Sequence, residues 1–151
     1  MKDITEILKT KSSLPLAKRT VLNVSLTSIN FKDGILSVLK PYEISLEQFN
    51  VLRILRGKNG EPSNLKDIQD RMISKMSNTT RLVDKLILKN YVERFICEKN
   101  RRKVDIYITK EGLKLLDILD PIIDKKEKEL TSNLNTDELE TLNLLLTKMR
   151  G

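Results

Sequence analysis

The sequence predicts a mainly α fold carrying one small β-hairpin (α+β), on three observations. Apolar residues recur at helical spacing through both ends of the chain. Two short helical patterns lie back to back in the middle, joined by a few residues, and the second is polar and basic at its exposed start. Directly after them, residues 92–97 and 104–108 read as strands around a tip rich in cations. Two helices with a tight turn, followed by a hairpin, make a winged helix-turn-helix, here flanked by N- and C-terminal helices.

Taken in order, residues 14–39 form a long helix carrying Leu16, Val21, Leu22, Val24, Leu26, Ile29, Ile35, Leu36 and Leu39. That is more apolar surface than one solvated amphipathic helix requires, and Pro41 stops it because proline cannot continue the hydrogen-bond ladder. Ser45 and Gln48 have capping-box spacing and open a helix with Leu46, Phe49, Val51, Leu52 and Leu55, which runs out at 57–60, GKNG. Residues 61–64, EPSN, make a turn and cap for a short helix with Leu65, Ile68 and Met72 inward. After a linker at 73–76, Thr79, Leu82, Val83 and Leu86 follow i, i+3, i+4, i+7 spacing and form the buried face of the next helix. Ser77, Asn78, Thr80, Arg81, Asp84 and Lys85 then lie outward. In the second strand Val104, Ile106 and Ile108 alternate with Asp105, Tyr107 and Thr109, giving one buried face. From residue 110 or 111 a long helix carries Leu113, Leu116, Leu119, Ile122 and Ile123, with Pro121 predicting a kink or a break. Asn135 to Glu138 recap a final helix with Leu139, Leu142, Leu145, Leu146 and Met149.

Composition limits the functional classes. At 151 residues, 1–151 is expected to be a single domain. A charged fraction of 32% against 39% hydrophobic describes a soluble globular chain. No run reaches the ~18 apolar residues of a membrane span, and the start of the chain lacks a signal peptide's apolar centre, so a cytoplasmic protein is expected. One cysteine, Cys97, excludes an internal disulfide framework. With no histidine, neither a nucleophile–histidine relay nor an ordinary zinc site can be assembled. No Gly-rich phosphate loop is present, so no enzyme is expected and no cofactor is called for. Three Phe, three Tyr and no Trp also argue against a base-stacking platform for single strands.

The charge is localised. Between residues 64 and 110 there are 12 Lys or Arg against 6 Asp or Glu, while the rest of the chain carries 16 against 15. Nearly all of the net charge of +7 therefore sits in the central third, as expected of a polyanion-binding surface on a neutral scaffold. The candidate contacts are Lys75, Ser77, Asn78, Thr80, Arg81 and Lys85 around the second helix, and Lys99, Arg101, Arg102 and Lys103 on the hairpin tip. Short donors and acceptors plus arginine suit base edges and phosphates, and a tip with paired arginines suits a minor groove. The bland alternative for each is a solvated face, and an acidic protein partner would use the same charge. Cys97 reads as a small strand filler rather than a redox switch.

The order of these parts resembles the MarR family of bacterial transcriptional regulators. The match spans essentially the whole chain. Its most specific residues are 79–94, TTRLVDKLILKNYVER, followed by the wing CEKNRRKVDIYITKEG at 97–112. The resemblance implies an obligate homodimer with intertwined terminal helices and two winged modules on successive major grooves of a pseudo-palindromic operator in double-stranded DNA. It also implies a repressor released by an effector, often a small amphipathic anion held between the dimer helices and the winged module, where Lys18 and Arg19 are available, although a solvated helix face accounts for both. One departure is Asn100, where the family usually has an aspartate that orients the arginine-bearing loop. On this reading residues 1–40 and 111–151 form the dimerisation region. Residues 44–110 form the winged helix-turn-helix, with its wing at 92–108. Independently of the resemblance, the terminal segments hold too many leucines and isoleucines for the central module to cover, though an intramolecular bundle would also absorb them.

Overall fold

The computed structural model describes residues 3–10, 13–96 and 104–151. Along these residues run α1 (Ile4–Ile7), α2 (Leu16–Leu39), a 3-10 turn (Lys40–Tyr42), α3 (Leu46–Arg56), α4 (Leu65–Arg71), α5 (Thr79–Leu88), β1 (Val92–Ile96), β2 (Val104–Ile108), α6 (Lys110–Thr131) and α7 (Thr136–Arg150). None of these helices is long and apolar enough to cross a membrane. The mainly helical winged fold expected from the sequence is therefore present.

Local chemistry sets most of the boundaries. Ser45 Oγ accepts from Gln48 N–H at 3.1 Å while Gln48 Oε1 accepts from Ser45 N–H at 3.0 Å, the predicted capping box. Asn135 and Glu138 repeat it reciprocally at the start of α7. α1 was not foreseen. Asp3 caps it, and the Thr5 hydroxyl and Ile4 N–H hold the Asp3 carboxyl below the usual carboxylate range.

β1 and β2 pair antiparallel, Val92 opposite Ile108 and Ile96 opposite Val104. Ser63 adds a third edge, exchanging both backbone hydrogen bonds with Ile106 at 3.0 and 2.8 Å. That places Ile106 at the centre of the small sheet, fully buried, whereas Val104 and Ile108 are only partly covered. The expected clean alternation on β2 is therefore concentrated in one residue.

One core joins these pieces. Leu39, Ile44, Phe49, Leu52, Ile68, Met72, Val83, Leu86, Ile106, Leu116, Leu119 and Ile123 pack in a single cluster. The inward face of α6 differs from the expected one. Leu113 is exposed, and the stripe runs Gly112, Leu115, Leu116, Leu119, Ile123. Its phase is set at Gly112, where a Cβ would lie 2.3 Å from the Tyr91 carbonyl oxygen. Thr109 fixes the same junction: its hydroxyl donates to Asn90 O and accepts from Gly112 N–H. Gly112→Ala is therefore expected to lose about 3 kcal/mol through overpacking against backbone, despite alanine's better helix propensity; chemical denaturation would measure it.

Of the kink or break expected at Pro121, the break is absent, since α6 continues unbroken to Thr131. Proline deletes only the hydrogen bond to the Asp117 carbonyl, and both residues are exposed, so water can serve that group. Leu119 and Ile123 on either side stay anchored in the core. A fork from Arg56 to Asp120, at 2.5 and 3.3 Å, further ties α3 to α6.

The two ends of the chain behave differently from the middle. α2 buries only Leu39, and α7 buries none of its residues. Leu16, Val21, Ile29, Leu142, Leu144, Leu145 and Met149 are all exposed.

Candidate nucleic-acid interface

The helix-turn-helix is α4, the turn 72–78 and α5. α5 starts two residues later than the linker at 73–76 implied. Asn78 is its N-cap and Ser77 precedes it, so neither lies on the helix proper. Asn78 Oδ1 accepts from Arg81 N–H at 3.0 Å, satisfying one of the open donors of the first turn. The acceptor end of Asn78 is thereby used, and its NH2 group remains to donate.

The turn is held by specific bonds. Ile73 N–H donates to Asn50 Oδ1 of α3 at 3.1 Å, and Ser77 N–H to Ser74 O at 3.2 Å. Gln69 bridges α4 to α5: its Oε1 accepts from the Thr79 hydroxyl, and its Nε2 donates to Lys75 O at 2.7 Å. The Lys75 ammonium caps α4, donating to the Asp70 carbonyl, where a cation also complements the helix dipole. At the far end of α5, Lys89 donates to the Glu43 carbonyl at 2.8 Å. α5 is thus tied at its start to α4 through Gln69 and at its far end to Glu43, between the 3-10 turn and α3.

Thr79 is buried and its hydroxyl is matched to Gln69. Thr79→Val would leave Gln69 Oε1 without that donor, and an expected loss of about 1 kcal/mol follows from the lost hydrogen bond at this half-buried acceptor. Thr79→Ser keeps the hydroxyl and is expected to restore most of it; thermal denaturation of the pair tests this.

With α5 so placed, Asn78, Thr80, Arg81 and Lys85 are exposed, Ser77 is half-buried, and Lys75 is exposed in the turn. Ser77, Asn78, Arg81 and Lys85 line one shallow depression, which Met76 and Glu47 also line. Six of the ten residues singled out from the sequence therefore fall on or beside the start of α5. Lys99, Arg101, Arg102 and Lys103, with Cys97 and Asn100, lie outside the described residues. The root of their hairpin is described. Arg94 of β1 meets Asp84 of α5 at 2.8 Å, so the hairpin is braced on the outward face of the same helix.

Several of these residues escaped sequence reasoning. Gln69, Asn50 and Arg94 act through partners 10 to 23 positions away, where no periodic spacing signals the pairing. Met76 did carry a signal: it is an apolar residue in the polar run SKMSN.

Comparison with known proteins agrees with this geometry. The model of the MarR family matches residues 44–104, from just before α3 to the first residue of β2. The multiple antibiotic resistance protein MarR of Escherichia coli (strain K12) is 31% identical over 121 residues, covering 78% of this chain and 82% of that protein. Among solved structures, a mutant MarR from E. coli complexed with operator DNA superposes with a TM-score of 0.76 at 23% identity, covering 98% of this chain and 99% of that one. BpsR of Bordetella bronchiseptica, from a study of how 6-hydroxynicotinic acid regulates its DNA binding, gives a TM-score of 0.79 at 17% identity over 92% and 98% of the two chains. A helix with a polar and basic exposed start, a braced hairpin and a relative 31% identical over most of both chains leave one assignment: the chain belongs to the MarR family, whose members regulate transcription and are not enzymes.

Proposed function

We propose that this protein is a homodimeric repressor that binds a pseudo-palindromic operator in double-stranded DNA and is released by a small-molecule effector. The observation that carries the DNA reading is the start of α5, where Ser77 and Asn78 end a turn pinned by hydrogen bonds and Thr80, Arg81 and Lys85 follow on the helix. A recognition helix reads base edges with its N-terminal residues, and those are the residues displayed. The hairpin residues Lys99, Arg101, Arg102 and Lys103 extend this contact to the backbone or the adjacent minor groove. The operator complex of the E. coli MarR mutant supports duplex DNA as the ligand class.

The homodimer is supported by α2 and α7, whose apolar residues are exposed on a single chain. Contiguous apolar surface of this kind marks a partner. Residues 1–40 and 111–151 are proposed as the dimerisation region and 44–110 as the DNA-binding module, with α6 shared, because its first half lies in the module's core. For the effector, regulation of BpsR by 6-hydroxynicotinic acid supports a small organic anion.

Selection of genomic fragments by the purified protein tests the proposal. A recurrent inverted repeat is expected, with half-sites about 34 Å apart along the duplex. Its log affinity should fall with log salt at about −0.9 per phosphate neutralised. Retention of random fragments with no shared sequence would overturn operator recognition.

A further inference from the structure

The most exposed large apolar side chain among the described residues is Met76, at 96%, and it stands in the turn just before α5. Met72, four residues earlier, is fully buried, so the turn sorts its two methionines strictly, one into the core and one into water. A loosely held loop would give exposure no meaning. Here the turn is pinned by Ile73 N–H on Asn50, Gln69 on Lys75 O and Ser77 N–H on Ser74 O. The backbone on both sides of Met76 is therefore placed, and among the described residues the side chain stays 96% exposed. Nor does it belong to the uncovered apolar surface of α2 and α7. Around the depression it stands with Ser77, Asn78, Arg81 and Lys85, the polar and basic set of the proposed interface, and with Glu47, Ser74 and Leu82.

That position selects a chemistry. Along the major groove the base edges offer donors and acceptors, which Ser, Asn and Arg can match, and one apolar group, the C5-methyl of thymine. Methionine is unbranched and polarisable and adapts to a small apolar target without demanding one rotamer. We propose that Met76 is a specificity-determining residue that packs against the C5-methyl of a thymine in each operator half-site. The inference rests on the proposed operator binding and adds to it which base type this residue selects.

Uracil provides the test, because replacing thymine by uracil deletes only the methyl and keeps base pairing. The operator recovered by genomic selection is prepared as a duplex with each thymine in turn replaced by uracil, and is titrated with the full-length wild type and with Met76→Ala. At one thymine position per half-site, uracil is expected to weaken wild-type binding about three- to tenfold, the scale of burying one methyl-sized group. Met76→Ala should bind the unmodified operator more weakly by a similar factor and be indifferent to uracil at that position. Its melting temperature should match the wild type's, since the side chain is exposed. Wild-type and variant proteins that respond alike to every uracil overturn the assignment while leaving operator binding intact. Absence of any preferred duplex for the wild type overturns both this inference and the proposed function.

Discussion

Arg81→Ala is expected to abolish most of the preference for operator over random duplex while leaving binding to random duplex nearly unchanged. Arg81 is exposed on the first turn of α5, three residues beyond the Asn78 cap that receives its backbone N–H. No ion pair or side-chain hydrogen bond holds its guanidinium among the described residues, unlike Arg56 on Asp120 and Arg94 on Asp84. It is thus available for a base edge, and a bidentate contact of arginine with guanine is worth about 1–3 kcal/mol of discrimination. That converts to roughly a 5- to 150-fold loss on operator. The distinction from a phosphate contact lies in the salt slope. A lost phosphate contact flattens the slope by about one unit on every duplex, whereas a lost base contact acts on the operator alone. Titration of both duplexes at several salt concentrations separates the two, and equal losses on operator and random DNA would refute base reading by Arg81.

The assignment of Arg81 was available from the sequence because it depends on helix phase alone. Once Thr79, Val83 and Leu86 are placed inward, Arg81 must point away, and the structure buries those three. The same holds for the caps at Ser45 and Asn135, where both partners lie within one turn. Legibility ends where position depends on residues distant in the chain. Gln69 and Thr79 sit on different helices and meet only because the turn folds back, and Arg56 meets Asp120 across 64 positions. The phase of α6 failed for a related reason. Leucines at 113, 115 and 116 permit two inward faces, and the choice goes with Gly112 facing the Tyr91 carbonyl, where no Cβ would fit, a proximity no periodicity encodes. At Pro121 the general rule against proline in a helix met a specific exception, an exposed site flanked by anchored residues.

The apolar ends of the chain give the second large effect. On α7, Leu142, Leu145 and Met149 lie at i, i+3 and i+7, one face of the helix, and all three are exposed within a single protomer. The helix is well capped by Asn135 and Glu138, yet none of its residues is fully buried and only Leu139 and Leu146 are half-covered. A 15-residue helix is marginal in water without tertiary packing, so its apolar face needs a cover that one chain does not provide. Leu145→Glu combined with Met149→Glu places two carboxylates on that face. The wild type is expected to sediment as a dimer and the double variant as a monomer. The winged module should survive, because none of its core residues comes from α7; retention of the main thermal transition would confirm this. Operator affinity is expected to fall roughly 10²- to 10⁴-fold, because two linked modules gain that much from effective concentration when both half-sites are engaged. A double variant that remains dimeric and holds the operator with wild-type affinity would remove α7 from the interface, and α2, with Leu16, Val21 and Ile29 equally uncovered, would then be the face to alter.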